Sequence, residues 1–285
     1  MNATAAGCAA IALWAFLALL SRGAESVPPL ELTALSFTVS ATLGLIVVAA
    51  RGRLGVLRQK PLAWLHGVGG LAGYHALYFA ALDLAPPAEA GLLNYAWPLL
   101  IVLFSAPLLG MTLCWNHAAG AGLSAIGCLL LLVARDGGSL RGEAAWIGDM
   151  LALGAAVTWA LYSVLSRRMR GVPTEAVAGF CAASAVLAGL ATLAFEHPVW
   201  PSLMAWASIA ALGAGPVGGA FFLWDVGMKR GDPRLLGTLA YATPVLSTLL
   251  LCLGGYAPWS LTLAAAALLV ALGGFTASRG DARAG

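Results

Sequence analysis

The side chains that could do chemistry in this chain are aromatic rings, an amide and an imidazole set inside long apolar stretches. Tyr74 and Tyr78 are four residues apart, which places them on one face of a helix, with His75 beside them. No pair of nucleophile and base stands out, but such groups stack on planar solutes and hydrogen-bond to their polar heads. We predict a binding site formed by Trp14, Tyr74, His75, Tyr78, Asn94, Tyr95, Trp97, Trp159, Tyr162, Trp224 and Tyr241.

The composition indicates which kind of protein must hold these residues. Hydrophobic residues make up 61% of the 285 positions and charged residues 9%, and the mean hydropathy is +0.89. A soluble domain has about 25% charged residues, so this chain is predicted to be an integral membrane protein. The net charge of +3 is small and spread over many loops, which argues against a nucleic-acid partner.

The apolar stretches are long enough to cross a bilayer as helices, which takes about 20 residues each. Clusters of charge, Pro and Gly separate ten predicted spans. They cover about 3–21, 30–50, 61–83, 87–107, 116–134, 145–166, 174–195, 203–226, 233–253 and 259–277. The predicted fold is therefore all-α, with ten transmembrane helices.

Lysine and arginine set the predicted orientation, because cytoplasmic loops carry an excess of both. If the N-terminus is cytoplasmic, the inside loops hold twelve of these residues. The outside loops then hold only Arg22, Arg135 and Arg141. Both termini are predicted to lie in the cytoplasm.

The two halves of the chain resemble each other. Trp14–Arg22 reads WAFLALLSR and Trp159–Arg167 reads WALYSVLSR. A shift of 146 residues places Pro87 on Pro233, Gly91 on Gly237, Tyr95 on Tyr241, Ala96 on Ala242 and Pro98 on Pro244. We predict two five-helix repeats, 1–141 and 142–285, that form one transport unit. Because five is odd, the second repeat is inverted, as in many secondary transporters.

Matching prolines and glycines mark special places in the repeats. Pro98 and Pro244 interrupt the fourth and ninth spans and are predicted hinges, because proline frees a backbone carbonyl one turn back. A passive kink is the alternative for either proline taken alone. The GxxxG pairs Gly69/Gly73 and Gly215/Gly219 predict close packing of neighbouring helices around the third and eighth spans.

The scarcity of charged residues inside the predicted spans limits the kinds of solute that the site can bind. No Asp, Glu, Lys or Arg is predicted at mid-membrane; the nearest are Asp83, Glu89, Asp149, Asp225 and Lys229, near span ends. A sugar phosphate would need fixed cations and a polyvalent cation would need carboxylates. The predicted solute is instead neutral or zwitterionic, with an apolar or aromatic body. His75 could carry a proton, but a structural histidine is the more ordinary alternative.

These features together resemble a known family. Ten spans in two inverted repeats with prolines at matching places resemble the drug/metabolite transporter superfamily, specifically its EamA-type members. The string Asn94-Tyr95-Ala96-Trp97-Pro98 is similar to the NYxWP pattern of the YddG-type aromatic amino-acid exporters. The resemblance covers essentially the whole chain. It implies export of aromatic and other hydrophobic amino acids across a bacterial inner membrane, through a central cavity lined by the first, third, fourth, sixth, eighth and ninth spans.

One departure from the family pattern is visible. Many EamA repeats carry Gly-Glu after the fourth and ninth spans, where this chain has Gly110-Met111 and Gly255-Tyr256. Any role of that glutamate in the family therefore has no counterpart here.

We predict a secondary transporter that exports its substrate by alternating access, with no cofactor, metal or catalytic residue. A multidrug or other small-metabolite exporter of the same fold is an alternative, since aromatic cavities also bind planar cations. An intramembrane enzyme is a remote alternative, because the four histidines form no metal-ligand spacing. The expected partners are a small-molecule substrate and the lipid bilayer; proton coupling and the oligomeric state stay open, a monomer included.

Overall fold

The structure is a computed structural model that describes residues 2–133 and 145–279. The predicted repeat boundary at 141/142, the outside-loop residues Arg135 and Arg141, and Arg283 lie outside these ranges. Every regular element in the described ranges is helical.

Fifteen α-helices make up the described part of the fold. They are α1 Ala3–Ala15, α2 Leu17–Arg22, α3 Pro29–Ala50, α4 Pro61–Val68, α5 Tyr74–Leu84, α6 Pro87–Asn94, α7 Trp97–Leu109, α8 Trp115–Val133, α9 Ala145–Ser166, α10 Val177–Phe195, α11 Leu203–Ala214, α12 Ala220–Arg230, α13 Pro233–Ala240, α14 Ala242–Leu253 and α15 Leu261–Ser278. Short 3₁₀ turns lie at Leu54–Leu57, Arg167–Met169 and Thr174–Ala176.

Eight helical stretches are long and apolar enough to cross a membrane. These are Ala3–Arg22, Pro29–Ala50, Glu89–Leu109, Ala145–Met169, Thr174–Phe195, Leu203–Arg230, Pro233–Leu253 and Leu261–Ser278. Two further helical stretches, residues 61–84 and Trp115–Val133, lie between them in the chain. The all-helical class is confirmed, and the number of spans and the side on which the termini lie stay predictions.

The predicted hinges coincide with helix breaks. Helix α6 ends at Asn94 and α13 ends at Ala240, each four residues before a proline. Since Pro98 and Pro244 have no backbone N–H, they cannot bond to the carbonyls of these two residues, and the regular ladder stops there. A third break, at Phe16 between α1 and α2, has no proline, and the sequence analysis did not anticipate it.

Each glycine pair forms the first and last residue of a π-helical turn, at Gly69–Gly73 and Gly215–Gly219. Both turns pack on neighbouring helices, but these four glycines are not the tightest points of that packing. A methyl group at Gly69 would meet nothing within 4 Å, and methyl groups at Gly73, Gly215 and Gly219 would meet side chains of neighbouring helices only at 3.7–4.0 Å. The wider turn changes which residues face the neighbouring helix. The close contact is made one residue later, at Gly70, where a methyl group would lie 2.2 Å from the ring of Tyr162.

The packing order of the helices puts the breaks at the centre of the molecule. Helix α3 packs on α10, α8 on α15, α1 on α12, and α9 on both α5 and α7. Helix α13 packs on α7, so that the two broken helices touch. A methyl group at Gly237 would lie 2.9 Å from the carbonyl oxygen of Pro98, which leaves no room there for a larger residue.

Candidate functional site

A cavity of about 500 Å³ lies between these central helices. This volume is in the range that binds small organic molecules. Eight of the eleven predicted binding residues line it: Trp14, Tyr74, His75, Tyr78, Asn94, Tyr95, Trp97 and Trp159. Of the predicted hinges, Pro244 lines the cavity and Pro98 does not. Residues from both halves of the chain therefore share one space.

Three tryptophans from three different helices form one wall of this space. The ring centroid of Trp14 lies 6.2 Å from that of Trp97 and 5.7 Å from that of Trp159, and the last two are 6.3 Å apart. All three pairs meet edge to face, the arrangement that the ring quadrupole favours. The wall offers a planar apolar solute several ring faces and edges at once.

The indole of Trp14 is held in place by a backbone carbonyl. Its N–H donates a hydrogen bond of 3.0 Å to the carbonyl oxygen of Pro216, inside the second π-helical turn. A π-helical turn disturbs the regular ladder, and such turns often occur at functional sites. The first helix is thereby tied to the second half of the chain.

Two predicted residues support the wall from behind. Trp224 is fully buried, its ring centroid is 5.0 Å from that of Trp14, and its N–H donates to Ser163 Oγ at 3.0 Å. Tyr162 packs 5.3 Å from Trp159 and stacks on His66 at 5.0 Å. Neither residue lines the cavity.

Tyr241 lies in a different cluster. It packs with Cys128 and Val245, and it is hydrogen-bonded to the backbone of Leu99. It sits at the break between α13 and α14 and does not line the cavity. Tyr241 therefore links the helix break beside Pro244 to α7, the helix that follows the break beside Pro98.

One amide supplies a polar group beside the tryptophans. Asn94 Nδ2 donates a hydrogen bond of 3.0 Å to the hydroxyl oxygen of Tyr74. Asn94 Oδ1 is buried and accepts no hydrogen bond from the residues that the structure describes. A buried acceptor left without a donor is costly, by about 1–3 kcal/mol. A ligand with an N–H group would remove that cost.

One nitrogen of the His75 imidazole is already hydrogen-bonded to the backbone. Its Nδ1 lies 2.7 Å from the carbonyl oxygen of Leu71, so Nδ1 must carry the proton and donate it. Rings surround the imidazole, with Phe37 at 5.2 Å, Tyr74 at 5.1 Å and Phe79 at 6.1 Å. The backbone bond fixes the ring, and Nε2 is left as the free acceptor of the neutral form.

Several lining residues were missed by the sequence analysis. They are chiefly hydroxyls and phenylalanines: Thr33, Ser36, Thr243, Ser247, Phe79 and Phe221. The hydroxyl oxygens of Ser36 and Thr243 are buried and have no hydrogen-bond partner in the described ranges. Their spacing was a usable signal, since Thr33/Ser36 and Thr243/Ser247 are three and four residues apart in otherwise apolar helices.

A buried ion pair lies away from the tryptophan wall. Lys229 Nζ is 2.8 Å from Asp225 Oδ2 and donates a further bond of 2.8 Å to the Val172 carbonyl oxygen. Thr174 Oγ1 donates to the same aspartate oxygen at 2.6 Å. Both residues of the pair are only 4% exposed. This buried ion pair lies beyond the cavity, on the side of Arg170 and Arg230.

No group of three or more His, Cys, Asp or Glu side chains that could hold a metal ion occurs within 2–133 and 145–279. The cavity offers a bound solute stacking, hydrogen bonding and a low-dielectric surrounding.

Comparison with known proteins gives the same picture over the whole chain. The model of the EamA-like transporter family matches residues 2–133 and again residues 146–279. A solved crystal structure of a protein superposes with a TM-score of 0.93 at 52% identity, covering 97% of this chain and 96% of that chain.

Two curated relatives match nearly end to end. The aromatic amino acid exporter YddG of Ancylobacter novellus is 52% identical over 278 residues, with 97% of each chain covered. The protein of the same name from Salmonella typhimurium is 27% identical over 288 residues, with 95% of each chain covered.

Proposed function

Because the chain belongs to the EamA-like transporter family, we propose that it exports aromatic and other hydrophobic neutral amino acids from a bacterial cytoplasm. The name of the relative at 52% identity supports this substrate class. The observation that carries the proposal is the cavity itself, where three indole rings meet an amide oxygen that has no hydrogen-bond donor in the described ranges.

The two chemical parts of such a substrate match two parts of the cavity. Its side chain stacks on Trp14, Trp97 and Trp159, and burial of an aromatic ring there is favourable. Its ammonium group donates to Asn94 Oδ1, the acceptor that needs a donor. Its carboxylate accepts hydrogen bonds from the hydroxyls of Ser36 and Thr243, which also line the space and have no other partner in the described ranges.

We propose ten membrane spans in two inverted repeats, 1–141 and 142–285, with both termini in the cytoplasm and the chain in the inner membrane. The two consecutive matches of the family model support the two repeats. The excess of Lys and Arg in the proposed inside loops supports the orientation.

In this orientation the cavity belongs to an outward-facing state of an alternating-access cycle. The residues near its mouth, such as Ser21, Pro29 and Thr33, flank the proposed outside loop between α2 and α3. The buried pair of Asp225 and Lys229 closes the cytoplasmic end. Bending at the helix breaks beside Pro98 and Pro244 closes the outer end of the cavity and opens its cytoplasmic end.

The direct test is flux from proteoliposomes that contain the purified protein. Labelled phenylalanine and tryptophan placed inside should leave in a saturable way, and unlabelled aromatic amino acids should compete. Absence of saturable flux for every amino acid would contradict the proposal. Competition by lipophilic planar cations without any effect of amino acids would instead identify a multidrug exporter of the same fold.

A further inference from the structure

A second cavity, of about 730 Å³, lies at the end of the molecule opposite to the aromatic one. It is bounded by α3, by α12 and by the segment 170–175. We call it the basic groove, because its outer end is lined by Arg51, Arg53, Arg170, Lys229 and Arg230, with Glu175 as the one lining carboxylate. It shares no lining residue with the aromatic cavity.

The inner part of the basic groove is apolar and open to the surroundings of the protein. Leu43 and Val47, one helical turn apart on α3, are each 46% exposed. Phe222 and Val226 hold the same spacing on α12 and form the facing wall. In a membrane protein, apolar side chains exposed at this depth are in contact with lipid chains.

The two walls end in the same way. Arg51 follows Val47 by four residues, and Arg230 follows Val226 by four residues, so each helix places a guanidinium one turn beyond an apolar side chain. In a cytoplasmic-end groove, this turn coincides with the level of the lipid headgroups.

Not all the cationic side chains of the groove pair with other groups of the protein. Arg53 pairs with Glu175, Lys229 pairs with Asp225, and the Nε of Arg170 donates to the Lys229 carbonyl oxygen at 2.6 Å. The side chains of Arg51 and Arg230 make neither a hydrogen bond nor an ion pair with any residue in 2–133 or 145–279. Two guanidiniums without an ion-pair partner in the described ranges therefore line the groove, next to further positive charge.

We propose that the basic groove binds an anionic phospholipid. The lipid phosphate accepts hydrogen bonds from Arg51 and Arg230, since guanidinium and phosphate pair in bidentate geometry. One acyl chain lies along Leu43, Val47, Phe222 and Val226. A free anion would leave this apolar wall uncovered, and a zwitterionic lipid brings a cation into a region that is already strongly positive.

Binding to the full-length protein in detergent tests the proposal, with phosphatidylglycerol, phosphatidylethanolamine and inorganic phosphate as separate probes in native mass spectrometry. Phosphatidylglycerol should bind at least about tenfold more tightly than phosphatidylethanolamine. The double variant R51Q/R230Q should lose that preference, and Val47→Trp, which fills the wall, should weaken phosphatidylglycerol binding at unchanged charge. The double variant R58Q/K60Q removes the same charge from an exposed loop outside the groove and should bind like the unaltered protein.

Three results would overturn the inference. Equal binding of the two lipids would remove the role of charge, and equal loss in R58Q/K60Q would mean non-specific attraction. Tight inorganic phosphate binding that depends on Arg51 and Arg230 but not on Val47 would identify a free-anion site. Melting temperatures of all variants in the same detergent separate loss of binding from loss of fold.

Discussion

The indole N–H of Trp14 donates a 3.0 Å hydrogen bond to the carbonyl oxygen of Pro216, 202 residues away in the chain. The donor lies near the end of α1 and the acceptor lies in the second π-helical turn. One bond therefore fixes a ring of the cavity wall and also links the two halves of the molecule. A movement of one half against the other must carry this ring with it or break the bond.

Trp97→Ala should lower kcat/KM for labelled tryptophan efflux by at least about tenfold, because it removes one face of the indole wall. Trp97→Phe should retain more activity than Trp97→Ala. Trp200, which is 89% exposed, provides the control, and its replacement by Ala should leave efflux unchanged. Unaltered transport of every aromatic substrate by Trp97→Ala would show that substrates bind elsewhere.

Asn94→Leu should weaken competition by aromatic amino acids by about ten- to a hundredfold, since the buried acceptor for the ammonium group is lost. Competition by indole, which has the ring without the amino-acid head, should change much less. Asn116→Leu, outside the cavity lining, serves as the matched control. An equal loss for indole and for tryptophan would mean that Asn94 shapes the pocket but does not bind the head group.

Gly237→Ala should reduce transport and stability together. The new methyl group would lie 2.9 Å from the Pro98 carbonyl oxygen and 3.0 Å from Ile101, which forces the two broken helices apart at a cost of about 1–3 kcal/mol. Gly189→Ala places its methyl group where nothing lies within 4 Å and should be neutral or stabilising. Thermal unfolding in detergent and efflux assays compare the two; equal melting temperatures would contradict the close contact.

Asp225→Asn should lower the free energy of unfolding by about 3–5 kcal/mol, because it leaves Lys229 as a buried charge without its partner. The double variant Asp225→Asn with Lys229→Met should recover part of that loss. The exposed pair Arg22–Glu25, at 3.6 Å, provides the comparison, and Glu25→Gln should cost less than about 1 kcal/mol. Equal effects of Asp225→Asn and Glu25→Gln would show that the ion pair is solvated in the membrane-embedded protein.

Thiol labelling in intact cells tests the proposed orientation. In a variant whose five native cysteines are replaced by Ala, Ser247→Cys should react with a membrane-impermeant reagent added outside, and tryptophan should protect it. Arg170→Cys, at the opposite end, should react only after the cells are opened. The reverse pattern would place the aromatic cavity on the cytoplasmic side.

The class of fold and the two helix breaks beside prolines could be predicted from the sequence because their causes are local. A proline removes a hydrogen-bond donor whatever surrounds it, so the ends of α6 at Asn94 and α13 at Ala240 follow from Pro98 and Pro244. The deep tryptophans could also be predicted to face inward, since an indole N–H in an apolar span needs a partner.

The division of the aromatic residues between the cavity and the layer behind it could not be predicted. Trp224 and Trp159 are both predicted binding residues, but Ser163 takes the N–H of Trp224 and holds it behind Trp14. The π-helical turns were missed for a related reason, since GxxxG describes a helix face only where the helix keeps its regular pitch. Both outcomes depend on contacts between segments far apart in the chain.

The two π-helical turns also decide which way the following side chains face. Their positions, Gly69–Gly73 and Gly215–Gly219, differ by the same 146 residues that separate the matching prolines. A π-helical turn holds one residue more than an α-helical turn, so the side chains that follow it point about 100° away from the direction that an uninterrupted α-helix would give them. A deletion of one residue in either turn would rotate the rest of that helix, and with it the cavity residues that the helix carries.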